Sequence, residues 1–209
     1  MGLTGRLHDG LGWRGDLAYP RGMAEPRAKG VTYRTFFKIL RKLRGDRVAD
    51  ATLDLAPAEF TRSFRSGLIF SGNWYPLAWY TGLHRAAQKA TGEGPDLART
   101  MGFEATRDDL SGIYRIFLLV VSPEFVISKA PLLFNTYYDT GTMEVTEAAR
   151  GRARARWADC LGFDRNLWLD IQGSCQAGLE AAGAHDVVIR LLSGGNDGDL
   201  RMELEASWR

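Results

Sequence analysis

Four arginines on alternate positions are the most regularly spaced charged feature of the chain: Arg150, Arg152, Arg154 and Arg156. Alternate side chains of a β-strand project from one face, so a strand here would present four guanidinium groups together. Such a face could bind phosphate groups or an acidic partner protein. The alternative, which we favour, is a salt-bridged surface, because Glu144, Glu203 and Glu205 lie on segments predicted to form neighbouring strands. No base-stacking aromatic residue is interleaved with the arginines, so nucleic acid is not the expected partner.

A dense aromatic group between positions 70 and 80 is the second feature that could carry chemistry. Together with His84 and aromatic residues of later helices, it could wall a pocket for a flat or lipophilic ligand between the helices and the sheet. The alternative is an ordinary aromatic core. The candidate pocket residues are Phe70, Trp74, Trp79, Tyr80, His84, Phe117 and Tyr137.

Histidine and cysteine residues are few and are not placed at metal-ligand spacing, so no metal site is predicted. His84 lies on the apolar side of its predicted helix. It could bind haem axially, but a hydrogen-bonded core histidine is the favoured interpretation. Cys160 and Cys175 are interpreted as small buried apolar residues. The sequence also lacks the Gly-x-Ser-x-Gly, Walker A, Gly-x-Gly-x-x-Gly and His-Glu-x-x-His patterns, so we expect neither an enzyme nor a cofactor.

The spacing of apolar residues predicts an α+β fold that would position these candidates. Helical periodicity appears over residues 33–45, after Pro57 and Pro76, over 110–121, and from Ser122 to Tyr137. Strand-like alternation then covers 143–157, 186–192 and 200–206, with one more helix over 166–183. We therefore expect an N-terminal helical bundle followed by a four-stranded antiparallel sheet with an inserted helix, in the order strand–strand–helix–strand–strand.

Length, charge and hydropathy limit which classes of protein the chain can belong to. A chain of 209 residues can build one sizeable core, and its formal net charge of +2 gives no basic field for nucleic acid. No apolar run approaches the roughly 18 residues that cross a bilayer, and no secretory signal is present, so we expect a cytoplasmic protein without a membrane partner. Residues 1–30, rich in glycine and arginine, are predicted to form a flexible leader before a single domain over 31–209, with Met23 as a candidate start.

Several blocks of sequence, taken together, carry a resemblance to known families. They are Trp74-Tyr75-Pro76, the run from Ala130 to Tyr137-Tyr138-Asp139-Thr140-Gly141, the run from Leu179 to Ile189, and the ending from Gly198 to Trp208. In order and spacing they resemble a bacterial domain family of unknown function that is abundant in the fruiting myxobacteria. That family is in turn distantly similar to the superfamily of haem nitric-oxide-binding, vinyl-reductase-like and Golgi-transport domains.

The superfamily resemblance implies helices followed by a four-stranded antiparallel sheet, and a domain that binds haem, a small lipophilic molecule or a protein partner. Haem nitric-oxide sensors carry a proximal histidine upstream of a Tyr-x-Ser-x-Arg signature. Here residues 107–124 contain no histidine, and Tyr138-Asp139-Thr140-Gly141-Thr142 lacks the serine and the arginine. The resemblance therefore implies a binding domain without haem held in that way.

Three functions are consistent with these observations. The leading hypothesis is a non-catalytic cytoplasmic sensory or adaptor domain that binds a small lipophilic or aromatic ligand or a protein partner. The second is a scaffold or oligomerisation protein, such as a homodimer, that acts through the edge of the sheet or the arginine face. The third is a haem-binding sensor with a non-standard ligand.

Overall fold

The computed structural model describes residues 24–110 and 121–209. Within these two ranges the chain forms seven helices and six strands. The helices are α1 (Gly30–Arg44), α2 (Asp46–Leu55), α3 (Ala58–Arg65), α4 (Leu77–Thr91), α5 (Asp96–Leu110), α6 (Pro123–Tyr137) and α7 (Arg165–Ala181). The strands are β1 (Arg27–Lys29), β2 (Trp74–Pro76), β3 (Thr142–Ala149), β4 (Arg152–Ala158), β5 (Val188–Gly194) and β6 (Met202–Ser207). This order confirms the predicted α+β class.

Local sequence signals set several helix boundaries. Gly45 has φ 82°, a left-handed conformation that glycine adopts without strain, and it separates α1 from α2. At the start of α6, the Ser122 side chain accepts a hydrogen bond from the Phe125 backbone N–H, and a proline opens the first turn. Asp164 caps α7 in the same way by accepting from the Leu167 N–H. These caps fix where α6 and α7 enter the domain.

An apolar core holds the helical layer together, and the buried face of α1 is part of it. Tyr33, Phe36, Phe37 and Leu40 recur at helical spacing and are at most 1% exposed. They pack in one cluster with residues of α4, α5, α7 and the sheet. Burial of large aromatic side chains is a major contribution to the stability of such a core.

Four elements of the helical half were not predicted from sequence, and three of them are short or mostly polar. α2 is rich in polar residues and buries only Ala49, Thr52 and Leu53, so its apolar face is too narrow to detect. β1 and β2 pair antiparallel but have three residues each, too few for alternation to show. β1 and the first residue of α1 occupy positions 27–30, which the sequence placed in a flexible leader. Ala28 in β1 is fully buried.

A further helix, α5, was also not predicted. It runs from Asp96 to Leu110 and overlaps the helix predicted over 110–121 only at Leu110. The rest of the predicted segment, including Phe117, lies outside the described residues. Mixed polar and apolar positions along α5 explain why its periodicity was weak in the sequence.

The four-stranded sheet is antiparallel throughout, in the order β3–β4–β6–β5. α7 connects β4 to β5, which is the inserted helix of the prediction. β3 and β5 each carry a local irregularity, between Val145 and Glu147 and between Leu191 and Ser193. One face of the sheet packs towards α6 and α7, and the other carries charged residues.

No helix in the described ranges is long and apolar enough to cross a membrane.

Candidate functional site

A cavity of about 470 Å³ lies between α5, α6 and α7 and the inner face of the sheet. Its surface is predominantly apolar. α6 contributes Val126, Phe134 and Tyr137, while α7 contributes Ile171 and Leu179. This volume falls in the range of small-molecule binding sites in proteins.

Small side chains on the sheet create much of the space. One row of cross-strand partners runs Ala148, Ala153, Ala206 and Ile189, in the order β3–β4–β6–β5, and its β3 end, Ala148, is exposed. Ala153, Ala206 and Ile189 of this row line the cavity. Because protein interiors are normally close-packed, alanines facing the helices here leave room that larger residues would fill.

α6 covers the cavity without burying much of itself. Phe134 is its one residue with the side chain buried. Phe125, Leu132 and Leu133 are 50%, 68% and 49% exposed, although Phe125 and Leu133 also contribute to the cavity lining. A helix with so little buried apolar surface opens at lower free-energy cost than α1 or α7. Among the described helices that line the cavity, α6 is therefore the least buried wall.

Asp170 of α7 supplies a buried polar group to this apolar lining. Its carboxyl accepts a hydrogen bond at Oδ2 from the Tyr80 hydroxyl at 3.2 Å, and the residue is 6% exposed. Burial raises the pKa of Asp170 to about 7, and the hydrogen bond from Tyr80 only partly opposes that shift. Close to neutral pH, this carboxyl therefore exchanges between its protonated and ionised forms.

His84 stands behind this carboxyl, not on the cavity surface. Its Nε2 lies 3.5 Å from Asp170 Oδ2 but makes no hydrogen bond with a described residue. The imidazole is 1% exposed and meets the rings of Phe36 and Tyr80 edge-on. Burial, with the nearby Arg85 charge, lowers the pKa of His84 to about 3, so the ring is neutral and the pair is not an ion pair at neutral pH.

Two glycines hold Asp170 in place by allowing α5 and α7 to touch. A Cβ on Gly102 would lie 2.0 Å from the Asp170 carbonyl oxygen, and a Cβ on Gly173 would lie 2.0 Å from the Arg99 carbonyl oxygen. Ser174 next to Gly173 donates a hydrogen bond to the Gly102 carbonyl at 3.3 Å. The close crossing of these two helices thus fixes the backbone that carries the buried carboxyl.

Other ionisable groups stand at different parts of the lining. Burial raises the pKa of Asp109, near the end of α5, with a further rise from Asp108 and a lowering by Lys38. Lys129 of α6 is exposed, with its Nζ 5.4 Å from the Phe125 ring centroid. Arg154 contacts the lining, but its Nε binds Glu205 at 2.9 Å. The cations are thus either exposed or already paired with a carboxylate.

The predicted pocket residues are distributed over separate parts of the molecule. Tyr80 and Tyr137 line the cavity, and His84 is adjacent to Tyr80 in the core. Phe117 lies outside the described residues. The remaining three are elsewhere: Phe70 is 55% exposed, Trp74 carries Lys29 Nζ at 4.0 Å from its ring centroid, and Trp79 stacks on Tyr75.

The sequence interpretation missed Asp170, the sheet alanines and the inner face of α6. One signal was present for Asp170, since it follows Leu167 by three positions and so shares a helix face with that apolar residue. A carboxylate in such a position is rarely buried without a partner. The alanine row had no comparable signal, because alanine is equally common on exposed strand faces.

The arginine face is built as a salt-bridge network. Arg152 and Arg154 both bond Glu205, which also pairs with Arg190 of β5. Hydrogen bonds from these arginines, Arg154 first, lower the pKa of Glu205 to about 2. Arg156 bonds Glu144 at 2.9 Å. The prediction that four arginines share one strand is corrected here: Arg150 lies in the turn before β4, so three of them are on the strand.

Both cysteines are unpaired, and no group of three or more histidine, cysteine or acidic residues in the described ranges could hold a metal ion. Cys175 lines the cavity, whereas Cys160, two residues after β4, is fully buried in the core. Burial raises the pKa of each thiol to about 12, so both are neutral at physiological pH.

In the described residues, a helical layer on a four-stranded antiparallel sheet lines an apolar cavity. No family model and no curated protein sequence matches the chain. Solved structures do match. A variant of the Fe(II) unliganded H-NOX protein from K. algicida has a TM-score of 0.66 at 13% identity, covering 87% of this chain and 96% of that one.

Two further H-NOX structures show the same likeness. A variant of Tt H-NOX gives a TM-score of 0.63 at 14% identity, covering 87% of this chain and 95% of its own. An oxygen-binding H-NOX domain related to soluble guanylate cyclases gives 0.59 at 13% identity, with the same coverage of 87% and 95%. This chain therefore has the fold of the H-NOX domains, as the distant superfamily resemblance implied.

The donor set of the cavity does not fit a haem held by histidine. Haem iron in proteins takes an axial nitrogen, sulfur or oxygen donor. Among the described lining residues there is no histidine, and His84 is enclosed between Phe36 and Tyr80 behind the wall. The Cys175 thiol is on the wall but neutral.

Proposed function

We propose that this protein is a non-catalytic cytoplasmic sensory domain that binds a small lipophilic molecule in the cavity between α5, α6, α7 and the sheet. The observation that carries this proposal is the apolar chamber of about 470 Å³. Ligand sites in proteins are typically chambers of this size with mostly apolar walls and a few polar groups. The H-NOX fold of the chain is consistent with such a role.

The construction of the walls supports a ligand more than a packing defect. Side chains that face an empty space lose dispersion contacts on that side, and this loss destabilises the fold. A bound molecule would restore those contacts. It would also bury the inner face of α6, whose ordering supplies a means of passing the binding event to a partner protein.

A cavity-filling substitution tests the proposal. Ala153→Leu places a larger side chain inside the chamber, and Ala148→Leu makes the same change on its cross-strand neighbour, which is exposed and not part of the lining. Nile red serves as the probe, because its fluorescence rises in an apolar site. We expect Ala153→Leu to weaken Nile red binding by about tenfold or more and Ala148→Leu to bind as the unmodified protein does.

Thermal melts accompany the measurement. If Ala153→Leu does not fold, Gly178→Leu replaces it, because a Cβ there has its nearest neighbour, Val126, at 4.0 Å. Nile red binding that is equal in all variants, or absent from the unmodified protein, would overturn the proposal.

A second candidate function, a scaffold that self-associates, has one specific observation in its favour. β5 is an edge strand of the sheet and exposes three aliphatic side chains, Val188, Leu191 and Leu192. Light scattering over a range of concentrations tests it. A dimer that Val188→Lys converts to a monomer would support this function, and a monomer at all concentrations would count against it.

Haem with a non-standard ligand is the third candidate, and Cys175 is the lining residue whose sulfur could serve as a donor. The absorption spectrum described in the Discussion separates it from the proposed function.

A further inference from the structure

We propose that Asp170 is the polar recognition residue of the cavity, and that the ligand is an amphiphile whose polar end donates a hydrogen bond, as an amine or an alcohol does. This inference rests on the proposed function and extends it to the chemical class of the ligand.

The carboxyl has one oxygen already engaged and one available. Among the described residues, Oδ2 receives the Tyr80 hydroxyl and faces His84 Nε2, while Oδ1 accepts no hydrogen bond. Asp170 lines the cavity, and a carboxyl oxygen on an apolar wall that lacks a protein donor is poorly compensated for the water it has lost. A ligand N–H or O–H inside the chamber would supply that donor.

The groups behind the carboxyl are arranged for such a ligand. His84 is enclosed behind the wall and has an Nε2 with no hydrogen-bonding partner within the described residues, so an unsatisfied polar atom lies 3.5 Å from Asp170 Oδ2 on the side away from the cavity. When a cationic ligand holds the carboxyl in its ionised form, the Tyr80 hydroxyl already donates to it. An Nε2–H on His84 could add a second donor after a small approach.

The rest of the lining opposes an anionic ligand in the interior. A second carboxyl, Asp109, is also in the wall. The guanidinium of Arg154 is engaged by Glu205 and by Glu147 at 3.5 Å. Lys129, the other cation of the lining, is exposed. A carboxylate carried into the chamber would therefore meet the buried carboxyl of Asp170, with the exposed Asp109 at the rim, and no unpaired buried cation among the described residues.

The rigid crossing of α5 and α7 makes the contact selective. The Asp170 carbonyl lies against Gly102, so the backbone of this residue cannot withdraw to relieve an unfavourable neighbour. Preorganised polar groups of this kind discriminate between ligands better than mobile ones do.

The test is displacement of Nile red, which has no hydrogen-bond donor, by three ligands with the same chain: decylamine, decanol and decanoate. Near pH 8 we expect decylamine to displace Nile red at a concentration about tenfold or more below that of decanoate, with decanol between them. Asp170→Asn should remove this preference while Nile red binds at least as tightly. Asp108→Asn, which changes the carboxyl next to the lining residue Asp109, is the matched control and should keep the preference.

The pH dependence gives a second, independent measure that survives a misfolded Asp170→Asn variant. The ionisable groups that face Asp170 are Tyr80 and His84 from α4 and Tyr138 from the end of α6. The preference for decylamine over decanol should grow as pH rises through about 7. Tyr80→Phe removes a hydrogen bond that lowers the Asp170 pKa, so the rise should move to higher pH in that variant.

The outcomes are distinguishable from failure of the proposed function. If Nile red binds but the three ligands compete equally, or decanoate is preferred, the inference is wrong and the cavity remains a ligand site. If Asp109→Asn removes the preference and Asp170→Asn does not, the recognition residue has been misassigned. If Nile red does not bind the unmodified protein, both proposals are wrong.

Discussion

Replacing Asp170 by asparagine should stabilise the protein in a way that depends on pH. The folded state raises the pKa of this carboxyl from 3.8 to about 7, because burial penalises its ionised form. Between these two values the folded state retains a proton that the unfolded state has released. Stability is therefore lost as pH rises through this window, and it is constant above it.

The magnitude follows from the width of the window. Each pKa unit corresponds to about 1.4 kcal/mol, so a shift of roughly three units amounts to about 4 kcal/mol. Asparagine has the shape of the protonated carboxyl and cannot ionise. Near pH 4 the free energy of unfolding of Asp170→Asn should thus match that of the unmodified protein, and near pH 8 it should be larger by about 4 kcal/mol.

Urea denaturation of both proteins between about pH 4 and pH 8.5 measures the difference directly. Titrating groups that are distant from Asp170 are present in both proteins and cancel in the comparison. His84 lies 3.5 Å from Asp170, but its pKa of about 3 keeps the folded-state imidazole neutral over this pH range. A difference that is independent of pH, or an Asp170→Asn variant that is less stable near pH 8, would refute the assignment of a buried, poorly solvated carboxyl at this position.

Three further predictions concern the helix crossing, the arginine face and haem. Gly173→Ala should destabilise the protein by about 1–3 kcal/mol or more in urea denaturation, because its Cβ would collide with a backbone carbonyl of α5. Gly178 is on the same helix, and a Cβ there would meet no close atom, so Gly178→Ala should be neutral or stabilising by up to about 1 kcal/mol. If the two substitutions changed stability equally, the close crossing of α5 and α7 would be contradicted. Glu205→Gln should lower the melting temperature more than Glu203→Gln near neutral pH. Because the Glu205 pKa is lowered from 4.5 to about 2, this difference should shrink as pH falls towards 2. A difference that is independent of pH would contradict the salt-bridge network. Protein from cells supplied with iron and a haem precursor should show no Soret absorption band, whereas a band lost in Cys175→Ala would establish the haem alternative.

The fold class was predictable because helical and strand periodicities are long-range patterns in the sequence. α1, α4 and β4 show their period over many residues, and Ser122 with Pro123 marks a helix start by local hydrogen bonding alone. α2 and β1 escaped detection for the opposite reason, since one is mostly polar and the other has three residues.

The site was harder to predict because it depends on which faces meet. Trp79 and Tyr80 are adjacent in sequence, yet Tyr80 borders the cavity and Trp79 stacks on Tyr75 away from it. Asp170 acquires its properties from Gly102 and Tyr80, which are 68 and 90 positions away. Spacing within one helix cannot reveal such contacts, whereas cross-strand partners such as Arg154 and Glu205 could be anticipated from the alternation of two strands.

The most direct test of the central claim is a crystal structure of the full chain purified from its host without refolding. We predict electron density for an elongated, non-porphyrin molecule between α6, α7 and Ala153, with its polar end within hydrogen-bonding distance of Asp170. A planar porphyrin with an axial ligand in that space, or a chamber filled by the protein's own side chains, would contradict it.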